Sequence, residues 1–155
     1  MTRRSPAEIE AHARAALERR GLGQHADFAA PACAFLEAVS YPGLKLLAEA
    51  LEDPASSAAL EKDLMGLDLH HISCVFIGAE VERLREEHGR LFLRNVRHGL
   101  YLLPGSVNRN YGIGCPVDPG FALGGERSKN PYSEKLEISA RDGVSVDDAL
   151  WQSLA

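Results

Sequence analysis

The chain has 155 residues, 45% of them apolar and 25% charged, which suits a compact domain with its own core and excludes disordered, collagenous and disulfide-stapled miniature classes. Its 17 Lys and Arg against 22 Asp and Glu give a net charge of -5, the wrong sign for a surface that must neutralise a phosphate backbone, so nucleic acid is excluded as a partner. Apolar runs such as Ile72 to Ala79 fall far short of the roughly 20 residues of a membrane span, and no apolar leader follows Arg3-Arg4, so a cytoplasmic protein without membrane attachment is expected.

In chain order, Ile9, His12, Ala13, Ala16 and Leu17 recur at the spacing of one helical face. Ser5 supplies an N-cap, Pro6 suits the first helical position, and Gly21 and Gly23 end the helix. Phe28, Ala32, Phe35, Leu36 and Val39 predict a second helix, with Asp27 as its cap and Pro31 in its first turn. Tyr41-Pro42-Gly43 then turns the chain into a third, carried by Leu44, Leu47, Ala48 and Leu51 and stopped by Asp53-Pro54. Ser56 or Ser57 could cap a fourth, short helix holding Leu60 and Leu64 before Gly66.

Past His70 the pattern changes. The β-branched and aromatic run His71 to Ile77 predicts a strand ended by Gly78, and Ala79 to His88 a short charged helix stopped by Gly89. Arg90 to Val96 and Leu100 to Leu103 read as a hairpin around Arg97-His98-Gly99. Pro104 to Ser133 holds six Gly and four Pro and reads as one loop, far beyond the roughly 12 to 15 residues usual in a compact domain and therefore the segment to inspect for function. Leu136, Ile138 and Ala140 alternate as a half-buried strand, and Asp142-Gly143 leads to a last helix with Val146, Leu150 and Leu154, capped by Ser145 with Asp148. The expected fold is α+β: a single domain over 1–155, with a helical part (1–66) and a strand and loop part (67–155). Its N-terminal helices pack on a small, mainly antiparallel sheet crossed by the long Gly/Pro-rich loop.

Chemistry-bearing residues concentrate in that loop. Arg109 could pair with a carboxylate or phosphate, Asn108 and Asn110 offer donors and acceptors, and Tyr111, Cys115 and Asp118 would shape a site for a small anionic metabolite. Gly112 and Gly114 do not open a helix after a strand, so the dinucleotide and Walker patterns fail, and a turn sequence packed over the sheet is the plainer reading. Cys33, Cys74 and Cys115 are an odd set expected to stay reduced, and Cys115 is read as inert rather than as a nucleophile activated by Arg109. His70 and His71, adjacent on a strand, would face opposite ways; a metal would need His71, His98 and Cys115 or Asp118 to converge, so neither metal nor cofactor is expected. Glu80, Glu82, Glu86 and Glu87 share a solvated face with Arg83 and Arg85, and His12 is read as a packed helix residue.

Five short stretches, Glu8-Ile9-Glu10, Leu102-Leu103-Pro104, Gly114-Cys115-Pro116-Val117, Gly143 to Asp147 and Trp151 to Leu154, together resemble a bacterial family of unknown function over most of the chain. Asn108-Arg109-Asn110 departs from it, standing where an Ala-rich helix is expected, and the family implies no catalytic residue. The first 50 or so residues also resemble the N-terminal helices of the malate and sulfolactate dehydrogenase family, without its downstream histidine motif. With no complete catalytic constellation, the expected function is a noncatalytic accessory or protein-interaction domain, with a protein partner or a second copy on its helical layer. The alternative is an anion binder or enzyme using the 104–133 loop.

Overall fold

A computed structural model describes residues 1–54, 61–63, 66–108, 111–117, 120–126 and 130–155. The class is α+β, with seven α-helices and seven strands among the described residues. The chain divides into two compact units, Met1–Pro54 with Pro131–Ala155, and Ala55–Asn130.

The first unit is built from both ends of the sequence. Strand β1 (Thr2–Arg4) runs into helix α1 (Pro6–Arg19), whose start is a reciprocal capping box: the Ser5 hydroxyl accepts from the Glu8 amide while the Glu8 carboxylate accepts from the Ser5 amide. Its buried stripe is Ile9, Ala13, Ala16 and Leu17, as the spacing predicts. Helix α2 (Ala26–Ala38) starts after a single 3-10 turn, Gly23–His25, and buries Ala29, Ala30, Cys33 and Leu36 among others. The expected Asp27 cap and first-turn Pro31 are both corrected: His25 occupies the cap position without a side-chain bond, and Pro31 lies inside the helix. Helix α3 (Gly43–Glu52) follows as predicted, burying Leu44, Leu47 and Ala50. Its first residue has to be Gly, because a Cβ there would lie 2.5 Å from the Cys33 carbonyl oxygen.

The C-terminal stretch completes this unit with α6 (Ser133–Asp142), β7 (Val144–Val146) and α7 (Asp148–Ser153). Residues 133–142 are thus helical, not the strand that Leu136, Ile138 and Ala140 suggested. Tyr132, Leu136 and Ser139 turn inward at helical spacing while Ile138 is 43% exposed, so the alternation of apolar residues was incidental. β7 pairs antiparallel with β1, Arg3 opposite Ser145, and Asp147, not Ser145, caps α7 by accepting from the Leu150 amide. The His12 ring stacks on Trp151 at 3.7 Å and its Nε2 lies 2.8 Å from the Trp151 carbonyl, while the Arg4 guanidinium sits 4.4 Å from the indole centroid.

The second unit holds a five-stranded sheet in the order β2 (Glu61–Asp63), β3 (Gly66–Asp68), β4 (Leu91–Arg94), β6 (Gly120–Glu126), β5 (Tyr111–Val117). All its pairings are antiparallel except β3 with β4. That parallel pair requires a crossover, which α4 (Cys74–His88) supplies. Four expectations are corrected here. Leu64 lies outside the described residues and the neighbouring 61–63 form a strand, so the helical part does not run to 66. The β-branched run entering at Ile72 starts α4 instead of a strand: the Ser73 hydroxyl caps it, and Cys74 to Gly78 are all buried, which rewards the same residue types on a helix buried on every side. Leu100–Leu103 is not a hairpin strand: a 3-10 turn, Gly99–Leu102, leads into α5 (Leu103–Asn108), and His98, not Gly99, takes the left-handed conformation at φ 58°. Finally, the 104–133 segment is not one continuous loop, since α5, β5 and β6 occupy much of it, and five of its six glycines lie along a strand pair with two register shifts.

Candidate functional site

The loop residues chosen from sequence do not form a described cluster. Asn108 is the exposed last residue of α5, and Tyr111 and Cys115 lie on β5. Arg109, Asn110 and Asp118 lie outside the described residues. Among the described residues no group of three His, Cys, Asp or Glu side chains is placed to hold a metal ion.

Two other places gather chemistry. In the second unit the Ser73 hydroxyl lies 2.7 Å from His98 Nδ1, on its face the start of a nucleophile and base pair. Four residues around it, His70, His71, Asn95 and His98, hold left-handed backbone conformations, a concentration of strain of the kind found at functional sites. The local bonding argues against catalysis. Ser73 is 1% exposed, and its oxygen already accepts from the Val75 amide. The Cys74, Phe76 and Ile77 amides are committed to the Arg97 and Ser73 carbonyls, which leaves this helix start no donor for a developing oxyanion. The turn is a clasp. His71 and Leu69 amides bond to Asn95 and Arg94 carbonyls, and Asp68 accepts from Asn95 Nδ2 and the His70 amide, which hold its carboxyl below the usual range. Burial pushes the Cys74 thiol up to about 12, so it is not a nucleophile either.

In the first unit, the end of α2, the turn into α3 and strand β7 enclose a cleft of about 520 Å³, lined by Glu37, Ser40, Tyr41, Pro42, Lys45, Val144, Ser145, Val146, Asp147 and Leu150. The chain makes one wall by ending α2 sharply: the Tyr41 amide bonds back to the Leu36 carbonyl and the Ser40 amide to Glu37, a Schellman closure. Ser40 occupies its left-handed position at φ 70°, where glycine is usual; the equivalent closure of α1 has Gly21 there, at φ 72°. Glu37 stands in the last turn of α2, half-buried. Burial pushes its carboxyl up to about 7, and the hydrogen bond from the Gly43 amide offsets only part of that cost. The opposite wall is β7. All three residues of β7, Val144 to Val146, line the cleft, as does Asp147, which caps α7. β1 takes one edge. Among the described residues β7 pairs with β1 alone, and either parity of that ladder turns the N–H and C=O groups of Ser145, or those of Val144 and Val146, away from β1.

Glu37, Ser40, Lys45 and the 144–147 segment were not chosen from sequence as site residues. The legible signal was Glu37 itself, a carboxylate in the apolar run Ala29 to Ala38. That β7 lines the same cleft needed the tertiary structure, since about 100 residues separate the two segments. No protein-family model, curated protein or solved structure matches this chain. The resemblances drawn from short motifs therefore carry no residue role into the reading of this cleft.

Proposed function

We propose that this protein is an interaction module whose first unit binds an extended segment of a partner protein, adding it as a third strand to β7 inside the cleft. The observation that carries this reading is that β7 lines a cleft of about 520 Å³ and, among the described residues, pairs with β1 alone. Main-chain groups along such an edge supply affinity for any extended chain, and the lining side chains supply selectivity. The rim residues Ser40, Pro42, Lys45, Ser145 and Asp147 are exposed, so a chain can enter from solvent. β7 is short and held by β1 along its whole length, which presents the edge in a fixed geometry at little ordering cost. The Ser73–His98 clasp, with its amides engaged, gives no support to a hydrolytic reading. No helix among the described residues is long and apolar enough to cross a membrane. Cys33 and Cys74 are both buried, and buried cysteines outside disulfides suit a cytoplasmic location.

The test is selection of linear heptapeptides from a random display library on the full chain, followed by amide hydrogen exchange with a selected synthetic peptide. New protection is expected at the β7 amides that turn away from β1, Ser145 or else Val144 and Val146, as is loss of binding when alternate peptide nitrogens are methylated with side chains unchanged. Selected peptides that protect another surface, or that tolerate methylation at every position, would overturn the proposal.

A further inference from the structure

Granting strand addition at β7, we propose that the cleft selects a cationic side chain, a Lys or Arg of the docked segment whose charged head seats against Glu37. Glu37 and β7 line the same cleft, and a segment lying along β7 projects alternate side chains to either side. Two other charged residues line that cleft. Lys45 lines the same cleft from α3 but is exposed and does not relieve the burial of Glu37, which only the Gly43 amide offsets. Asp147 adds a second carboxylate, its Oδ1 accepting from the Leu150 amide. Tyr41, the remaining titratable group, has its hydroxyl 3.4 Å from that of Tyr132. On the other helices packed against α2, Arg14 of α1 pairs with Asp27 and Arg141 of α6 with Asp142. A carboxyl held up by burial ionises when a cation arrives, so docking would release a proton from Glu37 to solvent, and binding would tighten as pH rises towards about 7 and level off above it. An anionic occupant would face two carboxylates and is disfavoured on charge.

The experiment uses a selected peptide with a Lys or Arg and its norleucine or citrulline counterpart, titrated calorimetrically against the wild-type chain and Glu37→Gln. Expected is an affinity loss of about tenfold or more for either change and little further loss for both together, the signature of direct coupling. Proton release, read from the dependence of binding heat on buffer ionisation heat, should appear with wild type and vanish with Glu37→Gln. Equal affinity for the charged and neutral peptides while β7 remains protected would overturn cation selection and leave strand addition standing. If no peptide protects β7, strand addition falls. Titration of the Glu37 carboxyl carbon by NMR with n-butylammonium then decides cation selection alone: a lowered midpoint sustains it and an unmoved midpoint overturns it.

Discussion

Replacing Glu37 by Gln should raise stability at pH 8.5 and leave it nearly unchanged at pH 5. The carboxyl's ordinary value of 4.5 is pushed by burial to about 7 in the folded chain, so between those pH values the folded state holds a proton that the unfolded state has released. The contribution of Glu37 is then fully present below about 4.5, declines as pH rises, and is lost by about pH 8. At about 1.4 kcal/mol per pH unit the displacement sets an upper bound of about 3 kcal/mol. The carboxyl is partly open to the cleft, and solvent screening brings the expected loss to roughly 1 to 2 kcal/mol. Gln keeps the shape and can still accept from the Gly43 amide but cannot ionise. Urea unfolding of both proteins at half-unit steps from pH 5 to 8.5 measures the difference directly, because contributions of other titrating groups cancel between them. A gap between variant and wild type that is the same at pH 5 and pH 8.5 would refute the assignment of a buried, unpaired carboxyl.

Two further substitutions probe the frame around the cleft. Ser139→Ala removes the bond its buried hydroxyl donates to the Ala38 carbonyl at 2.6 Å, a tie between α6 and the last turn of α2. The orphaned carbonyl should cost about 1–3 kcal/mol in urea unfolding, and a loss below about 0.5 kcal/mol would show that water replaces the hydroxyl. Gly43→Ala places a methyl against the Cys33 carbonyl and 3.1 Å from Leu36 Cβ. Because the nearest atom is helix backbone, α3 has to move, with an expected cost of about 1–3 kcal/mol and a lowered thermal midpoint; unchanged stability would mean that the α2–α3 contact is looser than described.

What could be read in advance followed local physics. Ser5-Pro6 at the start of α1, the stripe Ile9 to Leu17 and the Asp53-Pro54 stop all belong to one helix or one turn, and each stands as predicted. The misreadings share a cause: a short apolar run has no unique period. Ile72 to Ile77 and Leu136 to Ala140 satisfy a strand as well as a helix, and only the Ser73 cap and the packing of Ser139 against α2 decide between them. The Gly and Pro content of 104–133 was read as loop, although glycines also belong to a strand pair whose register shifts.

The cleft depended on the one thing a linear pattern does not carry, which is which distant segments meet. Sequence by itself determined the α+β class, the first three helices and the acidic net charge, because these follow from composition and from neighbours within a few residues. Only the tertiary structure decided that residues 144–147 line one cleft with 37–45 and that burial pushes the Glu37 carboxyl up. Desolvation and an open strand edge are properties of what surrounds a residue, and those surroundings arrive from the other end of the chain.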